Sequence, residues 1–263
     1  MTTAPETSEA PRRALITGSS RGIGAAIARA LAGTGHTVAV HCRSASATAL
    51  ADEVAARLPG SGHTVVTGDL ADPAAAAGLV GAAVAALGGI DVLVNNAGVY
   101  GYHPITATSY EDWQASWRKV IDTNLHGSAN VTWCVTDHLM RRPEGPAGAR
   151  IISVGSRGAY RGEPNAPAYG AAKAGLHAMT QSLAVHLAPH GIAVAAVAPG
   201  FVATEMAEEL LSGPAGDGIR AQSPYGRVAE PDEIAAAVAW LASPLARWAS
   251  GAVIDLNGAS YLR

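Results

Sequence analysis

From Arg13 onward, short runs rich in branched apolar residues alternate with alanine-rich stretches, and no other feature restricts the fold of this chain so tightly. The alternation predicts strands over 13–17, 37–41, 63–67, 90–94, 150–154, 192–197 and 252–256. Helices are predicted over 23–32, 46–58, 109–142, 168–187 and 231–242. One more opens at Asp72-Pro73, an N-cap followed by proline at the first helical position. The run 90–94 is almost wholly apolar, as suits a strand covered on both faces. Helices between successive strands require parallel crossovers, which predicts an α/β fold: one domain over 12–263 with a doubly wound parallel seven-stranded sheet flanked by helices. Residues 1–11 are polar and acidic and read as a disordered leader. Residues 201–229 lack a clean period, are rich in Gly, Pro and Ser, and read as a mobile lid over a substrate site.

Composition narrows the partners. The chain of 263 residues is 49% hydrophobic yet has no apolar run long enough to cross a bilayer, and its formal charge of -3 predicts no polyanion-binding surface. Neither a membrane nor a nucleic acid is expected as partner. Cys42 and Cys134 fall in different predicted elements and match no metal-ligand spacing. They are expected as reduced thiols of a cytoplasmic protein without a metal site.

In a doubly wound sheet, ligands bind beyond the carboxyl ends of the strands. The first such loop is Thr17-Gly18-Ser19-Ser20-Arg21-Gly22-Ile23-Gly24. Glycines at 18, 22 and 24 allow a tight turn and a close approach to a pyrophosphate, whose charge would meet the amides of the following helix. A purely structural turn explains many glycine triplets, but the position between the first strand and the first helix favours a dinucleotide. The end of the second strand selects which one, because a free ribose 2′-hydroxyl usually meets a carboxylate there and a 2′-phosphate meets arginine. His41-Cys42-Arg43-Ser44 contains no acid, and Arg21 is expected to face the same region, so NADP(H) is favoured over NAD. The competing reading is a set of solvated loop arginines.

Tyr169 and Lys173 stand four residues apart in the predicted helix 168–187 and therefore share a face. A lysine so placed would stabilise a phenolate and draw the tyrosine pKa down from about 10, as general acid–base work requires. Alone, the pair reads more readily as surface residues of an amphipathic helix.

The motifs together are more specific. The glycine loop 17–24, Asn95-Asn96-Ala97-Gly98 after the fourth strand, the Tyr169/Lys173 pair and Pro199-Gly200 after the sixth strand stand in the order and spacing of the short-chain dehydrogenases/reductases. The resemblance runs from about Arg12 to the C-terminus. It is strongest to the carrier-protein ketoacyl reductases and related single-domain, Rossmann-fold NADP(H) carbonyl reductases.

That resemblance implies roles. Tyr169 would protonate a ketone oxygen during reduction or take the alcohol proton in the reverse direction, and Lys173 would lower its pKa and bind the nicotinamide ribose. The family's serine, thirteen residues before the tyrosine, falls on Ser156. Ser153 is a rival only by residue type, since it lies within a predicted strand. Asn124 matches the helix asparagine that holds a water in a proton relay with the lysine. The cofactor would be held by Gly18, Ser20, Arg21, Gly22, Ile23 and Gly24, by Arg43 and Ser44, and by Asp69 and Leu70 beside the adenine. Asn95, Asn96, Ala97 and Gly98 would line its edge. Pro199, Gly200, Val202 and Thr204 would hold the carboxamide so that the pro-S hydride is transferred.

The implied function is interconversion of a ketone and a secondary alcohol, free or carrier-bound, by a homotetramer. A catalytically idle dinucleotide-binding sensor or structural subunit is the alternative; a dehydratase or epimerase fits the length and glycine spacing less well. The chain departs from the family in the charged stretch Arg157-Gly158-Ala159-Tyr160-Arg161-Gly162-Glu163, expected either to read a polar substrate or to form a surface ion pair. It departs again in Asn257-Gly258-Ala259-Ser260, where a Gly-Gly pair is common. Tyr100-Gly101-Tyr102-His103 is a further candidate wall of the pocket, with His103 as readily a packing residue.

Overall fold

The computed structural model describes residues 12–263, so the leader expected over 1–11 lies outside the described residues. Strands β1 (Arg13–Ile16), β2 (Thr37–Cys42), β3 (Thr64–Thr67), β4 (Val92–Asn95), β5 (Arg150–Val154), β6 (Ala193–Pro199) and β7 (Val253–Leu256) form one sheet in the order β3-β2-β1-β4-β5-β6-β7. Every pairing is parallel, with Ala14 of β1 opposite both Val38 and Val92. The fold is thus the doubly wound α/β sheet that the alternation predicts.

The helices are α1 (Gly22–Gly33), α2 (Thr48–Ala56), α3 (Pro73–Leu87), α4 (Tyr110–Ile121), α5 (Gly127–Arg141), the short α6 (Gly158–Arg161), α7 (Pro167–Leu187), α8 (Glu205–Ser212), α9 (Gly216–Arg220) and α10 (Pro231–Ala242). Strand periodicity divides the apolar residues into two cores. Ala14 and Ile16, Val92 and Val94, and Ile152 and Val154 face one layer with α1 and α10, while Leu15, Leu93 and Ile151 face the other with α3, α5 and α7. Local signals set the ends of α3: Asp72 Oδ1 accepts from Ala74 N at 2.8 Å, Pro73 follows, and Gly88 closes the helix at φ 74°.

Three stretches differ from expectation. The single helix expected over 109–142 is two helices joined by a π turn, Asp122–His126. The lid expected to be irregular carries α8 and α9, and an isolated parallel bridge from Val202 to Ala229 closes its base. These helices of eight and five residues are too short for a period to register. The loop after β5 contains α6, which has no sequence signal. Among the described residues both cysteines are unpaired, no group of His, Cys, Asp and Glu could hold a metal ion, and no helix is long and apolar enough to cross a membrane.

The chain leaves β1 for β2 and β3 on one side and returns to place β4 on the other. This reversal of strand order opens the crevice in which such sheets bind ligands. The loops after β1 and β4 flank it.

Candidate active site

The glycine loop turns sharply out of β1. Gly18 sits at φ 63°, a conformation that side chains disfavour, and a Cβ there would press on Ala97 Cα at 2.8 Å. At Gly24 a Cβ would collide with Gly18 O and stand 2.5 Å from Asn96 Nδ2. The loop is therefore closed against the loop after β4. Asn96 Nδ2 donates to Thr17 O at 2.9 Å and Gly18 O at 3.0 Å, and Thr17 Oγ1 accepts from the amides of Asn96 and Ala97, both at 3.0 Å. His41 braces it from β2: Nδ1 accepts from Gly18 N at 2.9 Å, which leaves Nε2 to donate to Gly68 O at 2.9 Å. Sequence reasoning missed Thr17 and His41 as supports. A histidine inside an otherwise apolar strand was the available signal.

Among the described residues no side chain caps α1, so the N–H groups of its first turn are left for an anion. Ser20, Gly22 and Ile23 are partly buried around it, and the Thr204 methyl packs against Gly22. Arg43 is exposed at the end of β2 with no hydrogen bond or ion pair among the described residues, beside Ser44, whose hydroxyl meets Ser46 Oγ at 2.8 Å. Arg21 Nη1 pairs with Glu205 Oε2 at 2.8 Å, which ties the glycine loop to the start of the lid. Asp69 is exposed, its Oδ1 accepting from Ala71 N at 3.0 Å, whereas Leu70 is buried and its carbonyl accepts from Asn130 Nδ2 at 3.1 Å. Asn95 is also buried and donates to Thr132 Oγ1 at 2.8 Å, so it braces β4.

Across the crevice, β5 and α7 bring three of the proposed groups together. Ser156 follows β5 and its Oγ accepts from Gly158 N at 3.0 Å. Ser153 is buried within β5, with Thr180 Oγ1 donating to its hydroxyl at 3.2 Å. Tyr169 is partly buried, with Tyr100 edge-on to its ring at 5.3 Å between centroids. Burial pushes its phenol up to about 12, Ser156 works in the opposite direction by hydrogen bonding, and the charge of Glu163 adds to the rise. Lys173 is buried and donates to Val154 O at 2.7 Å. Its ammonium stands 5.7 Å from the centre of the Tyr169 ring, and burial pushes it down to about 8. The expected depression of the tyrosine pKa by Lys173 is therefore not found, because the amine is turned to the end of β5.

Asn124 occupies the π turn, fully buried, with Oδ1 accepting from Val99 N at 2.8 Å and Nδ2 donating to Val99 O at 2.9 Å. Gly98 completes the cluster. A Cβ there would lie 3.4 Å from Asn124 Oδ1 and 3.6 Å from Lys173 Nζ. Pro199 and Val202 are buried, Pro199 O accepts from Arg157 N at 2.8 Å, and Gly200 packs on Asn257. Of the candidate wall 100–103, only Tyr100 meets Tyr169; Tyr102 is exposed, and His103 is buried with Nε2 accepting from Ala168 N at 3.3 Å. The ion pair considered for Arg157 and Glu163 does not form among the described residues. Burial pushes the Glu163 carboxyl up, against the pull of Arg161 and Arg157.

The arrangement joins an anion-ready helix N-terminus to a protonated phenol with a hydroxyl beside it, a combination suited to a dinucleotide and a proton transfer. Comparison with known proteins agrees. The family model described as enoyl-(acyl carrier protein) reductase matches residues 18–258. The 3-oxoacyl-[acyl-carrier-protein] reductase FabG of Escherichia coli K12 is 38% identical over 250 residues, covering 95% of this chain and 97% of the relative. The L-rhamnose 1-dehydrogenase (NAD(P)(+)) of Azotobacter vinelandii is 37% identical over 254 residues, covering 94% and 96%. The crystal structure of a short chain dehydrogenase from Burkholderia cenocepacia J2315 in complex with NADP superposes with a TM-score of 0.83 at 32% identity, covering 95% of this chain and 97% of the other. Sequence, sheet order and crevice together place this chain in the short-chain dehydrogenase/reductase family of oxidoreductases.

Proposed function

We propose that the protein is an NADP(H)-dependent oxidoreductase that reduces a ketone to a secondary alcohol or catalyses the reverse reaction. The observation that carries this reading is the meeting of Ser156, Tyr169, Lys173 and Asn124 beside the glycine loop, with the Tyr169 phenol kept protonated at neutral pH. The cofactor fits the residues present. The uncapped first turn of α1 would take the pyrophosphate, Arg43 and Ser44 the 2′-phosphate, and Pro199, Gly200, Val202 and Thr204 the carboxamide. Bound there, the reduced nicotinamide supplies a hydride.

Tyr169 then acts as the acid toward the carbonyl oxygen in reduction, and Ser156 donates a second hydrogen bond to the charge developing on it. Lys173, held on Val154 O and a cation below a pH of about 8, would bind the nicotinamide ribose hydroxyls. The side-chain amide of Asn124 is held by Val99 through one accepted and one donated hydrogen bond, and its main-chain carbonyl accepts from Ser128 Oγ at 3.0 Å, so the residue is fixed at the edge of the site. The 38% and 37% relatives are named for an acyl-carrier ketone and for a sugar, so family membership leaves the substrate open.

Absorbance of the reduced nicotinamide, followed with a panel of ketones and alcohols, should reveal turnover by the wild type. Tyr169→Phe should lower it by about 100-fold or more while NADPH still binds; undiminished turnover in this variant would remove the mechanism. Arg43→Asp should weaken NADPH by about 10- to 100-fold and NADH far less. Equal losses would count against the 2′-phosphate assignment.

A further inference from the structure

Between the lid and the carboxyl edge of β6 and β7 lies a cavity of about 330 Å³, within the size range of small-molecule sites. None of the four proposed catalytic side chains lines it, so what it binds is a separate question from the reading above. Phe201, Ile219, Ile234 and Leu256 give it apolar walls; of its charged lining residues Arg227 and Glu233 pair with each other, which leaves Arg157.

Arg157 is only 3% exposed, and its side-chain partners are neutral. Its Nη2 donates to Gln222 Oε1 at 2.9 Å, its Nη1 donates to Ser260 Oγ, and its guanidinium lies 5.5 Å from the centre of the Phe201 ring. Arg161 Nη1 donates to the same Gln222 oxygen at 2.9 Å, so a second cation crowds the one acceptor. The acid at the cavity wall is already committed. Glu233 accepts from Arg227 at 2.7 Å through each carboxylate oxygen and from Glu230 N at 2.8 Å. Glu163 acts on Arg157 through its charge alone. A guanidinium has five N–H donors, and a buried cation without an anion is costly.

We propose that this cavity binds a small organic carboxylate, its anionic group paired with Arg157 and its apolar body against Phe201, Ile219 and Leu256. One guanidinium fork matches one carboxylate in shape and charge. A phosphate dianion would bring a second charge and a hydrated shell into apolar walls, so the same cavity disfavours it.

Titration calorimetry on the full chain with sodium benzoate and, separately, sodium phosphate at matched ionic strength tests the assignment. Benzoate should bind saturably and phosphate should not. Arg157→Gln should weaken benzoate by about tenfold or more. Gln222→Glu, which sets a permanent carboxylate against Arg157, should do the same and carries the test if the first variant does not fold. Tyr169→Phe should leave benzoate binding unchanged. The proposal is overturned by phosphate binding more tightly than benzoate, by no saturable benzoate binding to wild type, by undiminished binding in Gln222→Glu, or by lost binding in Tyr169→Phe.

Discussion

His177 stands one turn beyond Lys173 on α7, 4% exposed, and neither of its ring nitrogens has a hydrogen-bond partner among the described residues. Tyr160 packs on it at 5.1 Å between ring centroids, and Gly155 is the residue whose absent Cβ leaves room for its Nε2. Burial, then the charges of Lys173 and Arg263, push its pKa down from 6.5 to about 4, with Asp255 opposing. The unfolded chain therefore takes up a proton on cooling the pH from 6.5 to about 4 that the folded chain refuses. Stability is fully present above the unfolded pKa and falls through this window, by on the order of 3 kcal/mol in all. His177→Leu should remove that part of the fall. Urea midpoints measured near neutral pH and near pH ~4.5 should lie closer together in the variant than in wild type; an equal separation would rule out His177 as the acid-sensitive group. At this scale, spacing alone made the shared face of Tyr169 and Lys173 legible, because i and i+4 on a helix leave little choice. The direction of the Lys173 amine was not legible, because it depends on Val154 O, which only the packing of α7 on β5 brings near.

At the scale of elements, the seven strands and the helices with a full apolar period were readable from the sequence, as was the Asp72-Pro73 start of α3. The π turn was not, since its residues continue the helical pattern on both sides and the extra residue shows only in the backbone. The glycine loop was legible as a turn, but its closeness to the loop after β4 is a tertiary fact. This closeness has a consequence for Gly24. The atoms facing its absent Cβ are Gly18 O, Ser19 Cα and Asn96 Nδ2, mostly backbone that cannot swing aside. Gly24→Ala should cost about 1–3 kcal/mol and displace the first turn of α1. Thermal unfolding should move down by several degrees, and NADPH should bind more weakly than to wild type. A variant with unchanged melting and unchanged binding would mean that the loop is far more yielding than its contacts allow.

For the whole molecule, some of the most exposed large apolar side chains stand on the outer faces of the two helix layers, where a lone chain gains nothing from them. Trp133 on α5 and Val185 on α7 belong to one layer, with Val185 81% exposed. Leu245 and Trp248 follow α10 in the other layer, with Trp248 99% exposed, and Trp240 on α10 itself is 45% exposed. Two separate faces of this kind suit two different self-complementary contacts, and two perpendicular twofold contacts close a tetramer. The family resemblance leads to the same assembly. Light scattering should then give four chains for the wild type. Trp133→Glu, which puts a charge on one face, should leave dimers held by the other. Trp248→Glu should also leave dimers, held by the first face, and the double variant should run as a monomer with its far-ultraviolet circular dichroism unchanged. If either single variant went directly to monomers, the two faces would be parts of one contact and the twofold scheme would fail; a monomeric wild type would leave both patches without the role argued for them.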